Sequence, residues 1–175
     1  MKEFNLWDFD VEKEKAKVRK WDLRFLDLAK RVAQWSKDPS TKTGAAIVRG
    51  KKIIAVGFNG FPTCMEDRPE WYNDRNEKYS RIIHCEINAL ISAQQSVDKA
   101  TLYTWPFACC DRCVVQMLQA GIDQFVFPEL SESLKPRWGE SINKSKLYID
   151  ECDAHWTEYK QGFVDLGNNR EPHGN

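Results

Sequence analysis

Residues 101–127, TLYTWPFACCDRCVVQMLQAGIDQFVF, predict a strand, a helix and a second strand in succession. The strands are the short apolar runs Thr101–Thr104 and Gln124–Phe127. The helix runs from Cys110 to Ala120, and Gly121 follows it as a left-handed cap, because glycine adopts a positive φ without steric cost. Such alternation of strand and helix is typical of α/β domains.

Two further elements are predicted on the N-terminal side. An apolar stripe near the 3.6-residue period indicates a helix from about Val18 to Ser36, which Pro39 ends because the residue before a proline avoids the helical region. Two short strands follow, Gly44–Val48 and Ile53–Phe58. Gly50-Lys51 lies between them, which fits a tight hairpin.

The remaining segments complete a single domain. Asn59–Ser80 is expected to be a long polar loop, His84–Gln95 a buried helix and about Ser141–Ala154 a last helix. A helix, a hairpin and two strand–helix alternations predict a three-layer α/β domain with a mixed sheet. We expect one domain over residues 1–166 with its core at about 18–155, and a disordered tail at 167–175.

Composition excludes several classes of function. Of the 175 residues 42% are apolar, which is enough for a buried core. Lys+Arg and Asp+Glu both number 26, so the net charge is zero and a general nucleic-acid partner is not expected. No apolar run approaches the roughly 18 residues of a membrane span. Met1 to Val18 lacks the apolar region of a secretory signal, so a cytoplasmic location is expected.

The six cysteines are unevenly spaced, at positions 64, 85, 109, 110, 113 and 152. In a reducing compartment, clustered cysteines indicate metal binding or catalysis more often than disulfides. Cys110 and Cys113 lie three positions apart at a predicted helix start, where thiolates are favoured, and both can bind one tetrahedral metal ion. With His84 they offer three zinc ligands and leave a fourth position open for water, as in catalytic zinc sites.

Glu86 follows His84 by two positions, which suits a hydrogen bond to that water better than a metal bond. Zinc lowers the pKa of bound water to roughly 7, and a carboxylate beside it can carry the proton to a substrate and its leaving amine. H-x-E followed by a C-x-x-C pair is the signature of zinc nucleobase deaminases.

The surrounding sequence makes the resemblance more specific. The segments HCEINALISAQQ (84–95), ATLYTW (100–105) and CDRCVVQMLQAGIDQFVF (110–127) resemble the cytidine and deoxycytidylate deaminase superfamily. SKDPSTKTGAAIV (36–48), GFNGFP (57–62) and the long loop ending in KYSRII (78–83) resemble its deoxycytidylate (dCMP) deaminase branch. The resemblance extends from about Trp21 to Phe127.

This resemblance implies a three-layer cytidine-deaminase-like domain with a five-stranded mixed sheet. It implies one catalytic Zn²⁺ held by His84, Cys110 and Cys113, with Glu86 as the proton shuttle. The implied reaction is hydrolysis of dCMP to dUMP and ammonia, which supplies dUMP for dTMP synthesis. Asn59 matches a residue that contacts the substrate sugar, and the backbone at Cys85 matches the position that faces the pyrimidine O2.

The sequence does not identify the residues that would bind the 5′-phosphate of the substrate. Lys42 is included among the substrate-binding candidates because it lies next to a motif. Lys78, Arg81 and Arg112 are alternatives for the same reason. Trp105 and Phe107 lie shortly before Cys109 and Cys110. They could form a wall of the base-binding pocket or pack in the hydrophobic core, and the sequence favours neither role.

One departure from the family pattern leaves the register of the thiolate ligands open. The family places proline directly before the first cysteine of the pair, whereas Pro106 precedes Cys110 by four residues here. Cys109 is therefore an alternative metal ligand. Cys110 is preferred because its spacing to Cys113 is that of the family.

The resemblance also implies a homo-hexamer that dCTP activates and dTTP inhibits, with Mg²⁺ accompanying a regulatory nucleoside triphosphate. Some relatives carry arginine near the allosteric site, where this chain has Ser92 and Gln95.

Two rival functions stay open from the sequence. One is another deaminase of the superfamily, acting on free cytidine, in the riboflavin pathway or on tRNA adenosine. The other is a catalytically silent zinc module that binds nucleic acid, against which the intact Glu86 argues.

Overall fold

The computed structural model describes residues 6–160, with side chains described from residue 20 onward. The expected disordered tail at 167–175 and the domain limit at 166 lie outside the described residues. Within the described part of the chain, no helix is both long enough and apolar enough to cross a membrane.

The structure contains a five-stranded mixed sheet with helices on both faces. In chain order the elements are α1 (Leu6–Ala33), β1 (Gly44–Arg49), β2 (Lys52–Phe58), α2 (Pro69–Asn73), α3 (Arg75–Arg81), α4 (Cys85–Ser92), β3 (Thr101–Trp105), α5 (Asp111–Gln119), β4 (Gln124–Pro128), α6 (Lys135–Glu151) and β5 (His155–Tyr159). The strand order is β2-β1-β3-β4-β5. β1 runs antiparallel to β2 and β3, whereas β3, β4 and β5 are parallel. The predicted fold class is confirmed.

The alternation of side chains along β1 explains the three layers. Successive residues of a strand point to opposite faces of the sheet. Ala46 and Val48 pack with Phe25 and Leu26 of α1 on one face. Ala45 and Ile47 belong to the larger core on the other face, which α4, α5 and α6 cover. Both faces of β1 are therefore buried, as expected for an inner strand of a sheet covered on both sides.

Two glycines let helices approach the sheet closely from opposite faces. A Cβ atom at Gly44 would overlap the backbone of Ala29 and Ala33 in α1. A Cβ atom at Gly57 would overlap the backbone of Cys85 and Ala89 in α4. Gly57 therefore determines how closely the beginning of α4 lies against β2.

The first helix differs from its predicted bounds. It begins at Leu6 rather than about Val18 and ends at Ala33 rather than Ser36. Beyond Ala33 the chain makes a tighter turn, in which the N–H of Ser36 donates to the carbonyl three residues earlier at 3.1 Å. The Ser36 hydroxyl donates to the carbonyl of Asn59 at 2.8 Å, so this residue belongs to the following loop.

The prediction of an uninterrupted loop over Asn59–Ser80 was wrong, because the segment contains α2 and α3. Proline in the first turn starts α2 at Pro69. The carboxylate of Asp74 caps α3 by accepting from the N–H groups of Asn76 and Glu77. Both signals are visible in the sequence, but the polar composition of the segment concealed them.

The C-terminal elements also differ from expectation. The last helix runs from Lys135 to Glu151, not from Ser141 to Ala154, and Pro136 lies in its first turn. β5 follows it, pairs with β4 and extends the described domain past the expected core limit at residue 155. β5 is an edge strand with mostly exposed side chains, so it has no apolar run that marks it as a strand.

Candidate active site

Three potential metal ligands meet at the beginnings of two helices. His84 is the N-cap of α4, Cys110 is the N-cap of α5, and Cys113 lies in the first turn of α5. Nδ1 of His84 lies 3.4 Å from Sγ of Cys110 and 3.3 Å from Sγ of Cys113. The three ligand atoms all lie within 4.8 Å of one another. Among the described residues, no other group of three His, Cys, Asp or Glu side chains is this close.

The electrostatics of this group suit a cation. The hydrogen bond with Cys113 lowers the pKa of the Cys110 thiol to about 4, and the same hydrogen bond raises the pKa of Cys113. The hydrogen bond with Cys110 raises the pKa of His84 to about 8. These shifts favour a Cys110 thiolate beside a protonated His84, and a bound metal cation would take the place of the imidazole proton. One imidazole nitrogen and two sulfurs form a donor set that zinc prefers, so these residues fit a zinc ion.

Glu86 is a buried carboxyl group beside these ligands. It lies in the first turn of α4, and its Oε2 atom is buried without a hydrogen-bond partner. Burial raises the pKa of Glu86 above its ordinary value. A buried oxygen without a partner costs free energy, so its presence indicates that a ligand or water completes its hydrogen bonding.

The other cysteines do not join this group. Sγ of Cys109 lies 3.9 Å from Oγ of Ser145 on α6, within the main core. Cys85 is buried as well, and burial raises the pKa of both the Cys85 and the Cys109 thiols. Cys64 and Cys152 are exposed and are not part of the group.

A cleft of about 460 Å³, its open mouth included, leads to Glu86, His84 and Cys110. Asn59, Thr41 and Thr43 line one wall, and Phe107 and Trp138 line another. The rings of Phe107 and Trp138 are 5.3 Å apart between centroids. The space combines an aromatic wall with a polar wall, which is typical of small-molecule binding sites.

Asn59 is held rigidly in the polar wall. Its Oδ1 accepts from the N–H of Thr43 at 2.8 Å, and its Nδ2 donates to the carbonyl of Thr41 at 2.9 Å. Nδ2 also donates to Oδ2 of Asp38 at 3.2 Å. Both donor hydrogens are thereby used, whereas Oδ1 keeps one free acceptor position. These three hydrogen bonds hold the Asn59 side chain in one orientation at the cleft.

Asp38 joins this wall to α3 through a buried ion pair. Its Oδ1 lies 2.9 Å from Nζ of Lys78, and the two side chains are 3% and 6% exposed. Oδ1 also accepts from the N–H of Ser40 at 2.8 Å. The carboxylate thus fixes the loop before β1 and Asn59 at the same time.

The candidate phosphate residues named from the sequence lie in different places. Lys42 is exposed and is not among the residues that line the cleft. Lys78 lines it but is neutralised by Asp38. Arg81 pairs with Glu77 and lies over the ring of Trp71 at 4.7 Å. Arg112 lines a groove outside the cleft.

Arg137 and Trp138 of α6 are among the cleft residues that reasoning from sequence missed. They lie beyond every recognised motif, and only the packing of α6 against α5 brings them to the site. Of the two aromatic residues near the cysteine loop, Phe107 lines the cleft. Trp105 instead lies on the α1 side, with Lys30 4.8 Å above its ring.

Comparison with known proteins gives consistent results. The family model described as the cytidine and deoxycytidylate deaminase zinc-binding region matches residues 19–129. An uncharacterized deaminase from the luxG 3′ region of Aliivibrio fischeri is 36% identical over 140 residues, which cover 80% of this chain and 94% of that protein. The deoxycytidylate deaminase of Homo sapiens is 34% identical over 114 residues, which cover 61% of this chain and 64% of that protein.

Solved structures show the same fold. The dCMP deaminase of cyanophage S-TIM5, crystallised with dCMP and dUMP, has a TM-score of 0.62 and 19% identity, with 77% of this chain and 93% of that chain covered. A Thermotoga maritima diaminohydroxyphosphoribosylaminopyrimidine deaminase/reductase has a TM-score of 0.59 and 19% identity, over 85% of this chain and 39% of that one.

Proposed function

Because the chain belongs to the cytidine and deoxycytidylate deaminase family, we propose that it hydrolyses dCMP to dUMP and ammonia. The observation that carries the proposal is the buried, unpartnered Oε2 of Glu86 in the cleft that His84 and Cys110 also line. The deoxycytidylate deaminases among the curated relatives support the choice of substrate.

His84, Cys110 and Cys113 would hold a zinc ion, since they provide one nitrogen and two sulfur ligands within 4.8 Å of one another. Three protein ligands leave a fourth position for water, and the bound ion supplies acidity by lowering the pKa of that water to roughly 7. Cys109 is not needed as a ligand, because its sulfur contacts Ser145.

Glu86 moves the protons of the reaction. Its free Oε2 accepts a proton from the attacking water as the new C4–O bond forms, and it delivers that proton to N3 of the cytosine ring. It then transfers the remaining hydroxyl proton to the amino group. The C4–N bond breaks, ammonia leaves, and the carbonyl of uracil is formed. Burial of Glu86 excludes bulk water from these transfers.

The cleft walls position the nucleotide. The free acceptor position of Asn59 Oδ1 suits a sugar hydroxyl, because both amide hydrogens are already used. Phe107 and Trp138 suit the faces or edges of the base. The backbone N–H of Cys85, at the beginning of α4, suits the pyrimidine O2, since the first N–H groups of a helix lack partners within it.

The proposal extends to the properties implied by the family resemblance. These are activation by dCTP, inhibition by dTTP, Mg²⁺ with the effector, a homo-hexamer and a cytoplasmic location. Ser92 and Gln95, which stand where some relatives have arginine, are exposed and so accessible to an effector. Initial rates on dCMP with and without each triphosphate test the regulation. If neither triphosphate at saturation changed the rate, the proposed regulation would be wrong. The proposed deamination of dCMP would be unaffected.

Glu86→Gln tests the chemical proposal directly. The amide preserves the shape of the side chain but cannot accept and return a proton, so kcat on dCMP is expected to fall roughly 10²- to 10⁴-fold. Zinc content is expected to stay at the wild-type level, because Glu86 is not among the clustered ligands. Glu140→Gln is the matched control on the exposed face of α6, where Glu140 pairs with Lys144. Near wild-type turnover in Glu86→Gln would contradict the assigned role.

Substrate choice is tested separately. Ammonia release from dCMP is compared with release from deoxycytidine, dCTP and adenosine in a tRNA loop. Preference for any substrate other than dCMP would redirect the proposal to another member of the same family.

A further inference from the structure

Positive charge in the cleft is unevenly compensated. Apart from the candidate metal ligand His84, the cationic side chains that line it are Lys78 and Arg137. Lys78 is neutralised by the buried carboxylate of Asp38 at 2.9 Å. Within residues 20–160, no carboxylate forms an ion pair with Arg137. Arg137 is therefore the uncompensated cation of the cleft.

Arg137 is held in place by two aromatic residues. Its Nη2 donates to the hydroxyl of Tyr79 on α3 at 2.8 Å, and its guanidinium lies 5.1 Å from the ring centroid of Trp138. These contacts join α3 to α6 where both border the cleft. They fix the guanidinium without neutralising it, and a pre-positioned group loses little entropy when it binds a ligand.

The potential around Tyr79 is positive. A second guanidinium, that of Arg75, lies 5.3 Å from the centroid of its ring. Partial burial raises the pKa of Tyr79, but the hydrogen bond and charge of Arg137 and the charge of Arg75 outweigh this effect, so the net pKa is lowered. Two cations therefore act on this single hydroxyl.

A groove continues outward from this pair of residues. Arg75, Arg112 and Arg137 line it, and none of them has an ion-pair partner among the side chains described from residue 20 onward. Asp111 is the acidic residue in its lining, and its Oδ1 accepts from Oγ of Ser141 at 2.7 Å. Three unpaired arginines in one groove of a chain with zero net charge indicate an anionic ligand.

We propose that Arg137, positioned by Tyr79 and Trp138, binds the 5′-phosphate of the nucleotide and makes the enzyme prefer a nucleoside monophosphate to the free nucleoside. This inference rests on the proposed function, because it takes the base to lie at the Glu86 end of the cleft. The phosphate then lies toward Tyr79 and Arg137, which the cleft shares with the outer groove. A guanidinium matches phosphate oxygens with two parallel hydrogen bonds.

The proposed phosphate-binding residue lies outside the segment that the family model matches, although Tyr79, which positions it, lies inside. Arg137 lies outside residues 19–129, whereas the metal ligands and Glu86 lie inside that range. Specificity for the phosphate would thus come from a part of this chain that does not carry the chemistry.

The kinetic test uses the zinc-loaded full chain and the variant Arg137→Ala. The ratio of kcat/KM for dCMP to kcat/KM for deoxycytidine is expected to fall roughly ten- to hundredfold, as for loss of a hydrogen bond to a charged group. Arg137→Lys keeps the charge but not the planar fork, so it is expected to retain part of the ratio. An unchanged ratio in Arg137→Ala would overturn the assignment, even if both rates fell together.

Arg24→Ala is the matched control. Arg24 is also an exposed arginine over a tryptophan, 4.6 Å from the ring centroid of Trp21, and it does not line the cleft. The selectivity ratio of this variant is expected to equal that of the wild type. If Arg24→Ala lowered the selectivity ratio by a similar factor, loss of any surface charge would explain the effect of Arg137→Ala. That result would overturn the proposal.

A binding measurement separates this inference from the proposed function. Calorimetric titration with dUMP and deoxyuridine measures binding without turnover. Arg137→Ala is expected to lower the affinity for dUMP roughly ten- to hundredfold relative to the affinity for deoxyuridine. If the wild type deaminates neither dCMP nor deoxycytidine, the proposed function fails and this titration alone decides the role of Arg137. If the wild type prefers the nucleoside monophosphate to the free nucleoside and Arg137→Ala keeps that preference, the inference about Arg137 fails and the proposed function stands.

Discussion

Cys109 and Cys110 are consecutive in the chain, yet their sulfur atoms face different partners. Sγ of Cys110 lies 3.4 Å from Nδ1 of His84, whereas Sγ of Cys109 lies 3.9 Å from Oγ of Ser145. Cys110 has an extended backbone, with φ −71° and ψ 164°. Successive side chains of extended backbone point in opposite directions. The backbone conformation therefore separates a candidate ligand from a core residue.

This separation predicts different metal contents for two single variants. Loss of a residue that hydrogen-bonds to a metal ligand typically lowers metal affinity roughly 10- to 100-fold. Cys110→Ala removes a candidate ligand itself, so it is expected to lower zinc affinity by more than this. Cys109→Ala is expected to retain zinc, because its sulfur packs in the core. Competition with a chelator, followed by metal analysis, measures both. Loss of zinc in Cys109→Ala alone would assign the ligand role to Cys109.

Gly57→Ala is expected to impair both stability and activity. The new methyl group would overlap the backbone of Cys85 and Ala89, so overpacking is expected to lower the free energy of unfolding by about 1–3 kcal/mol. It also displaces α4, the helix that begins beside His84 and carries Glu86, so kcat falls as well.

Gly44→Ala is the matched control for that variant, because its methyl group overlaps α1 on the opposite face of the sheet. A similar loss of unfolding free energy is expected, about 1–3 kcal/mol, but turnover per folded molecule is unchanged. Urea denaturation and steady-state kinetics measure the two quantities. Equal losses of kcat in both variants would contradict a specific effect on α4.

Lys78→Met is expected to destabilise the protein strongly. It leaves the Asp38 carboxylate, only 3% exposed, without its cation, which typically costs about 3–5 kcal/mol. Lys37→Met breaks a comparable pair with Asp67, but those side chains are 66% and 34% exposed, so a loss below about 1 kcal/mol is expected. The free energies of unfolding from urea titration compare the two variants. Similar values would show that the Asp38 pair is accessible to solvent in solution.

Tyr103 is expected to make the fold sensitive to alkaline pH. Its hydroxyl donates to Oδ1 of the buried Asp22 at 2.8 Å, and the hydroxyl of Tyr159 donates to Oδ2 at 2.7 Å. Burial, together with the charge of Asp22, raises the pKa of Tyr103 above its ordinary value of 10.0. The folded protein thus favours the neutral phenol. Its stabilising contribution is complete below pH 10 and is lost as pH rises beyond it.

Tyr103→Phe tests this expectation. The variant loses one hydrogen bond to the Asp22 carboxylate, which costs about 1.5–3 kcal/mol at neutral pH. Above pH 10, its free energy of unfolding is expected to decline less steeply than that of the wild type, because the group that titrates is gone. Parallel declines of the two proteins between pH 9 and 11 would contradict the assignment.

The parts of the fold that sequence reasoning located correctly carry local signals. β3 and β4 are short apolar runs, and Gly121 has a positive φ of 91° after α5. The close approach of His84, Cys110 and Cys113 agrees with the prediction from spacing, although their binding of zinc stays a prediction.

Other features depend on contacts between distant segments. Arg137 reaches the cleft because α6 packs on α5, and β5 is a strand because β4 offers it a free edge. The pairing of Lys78 with Asp38 joins residues 40 positions apart, so no local pattern shows that this lysine is neutralised. Long-range packing therefore determined which basic residue is free for an anion.

The bridge between Gly60 and Ile83 has a consequence for evolution and design. The two residues exchange backbone hydrogen bonds of 3.1 and 2.9 Å, so the segment of residues 61–82 begins and ends at nearly the same point. The free-energy cost of closing a loop grows slowly with its length. The length of this segment can therefore vary while its two ends stay fixed. Such variation must leave α3 in place, because Lys78 pairs with Asp38, which holds Asn59, and Tyr79 accepts a hydrogen bond from Arg137.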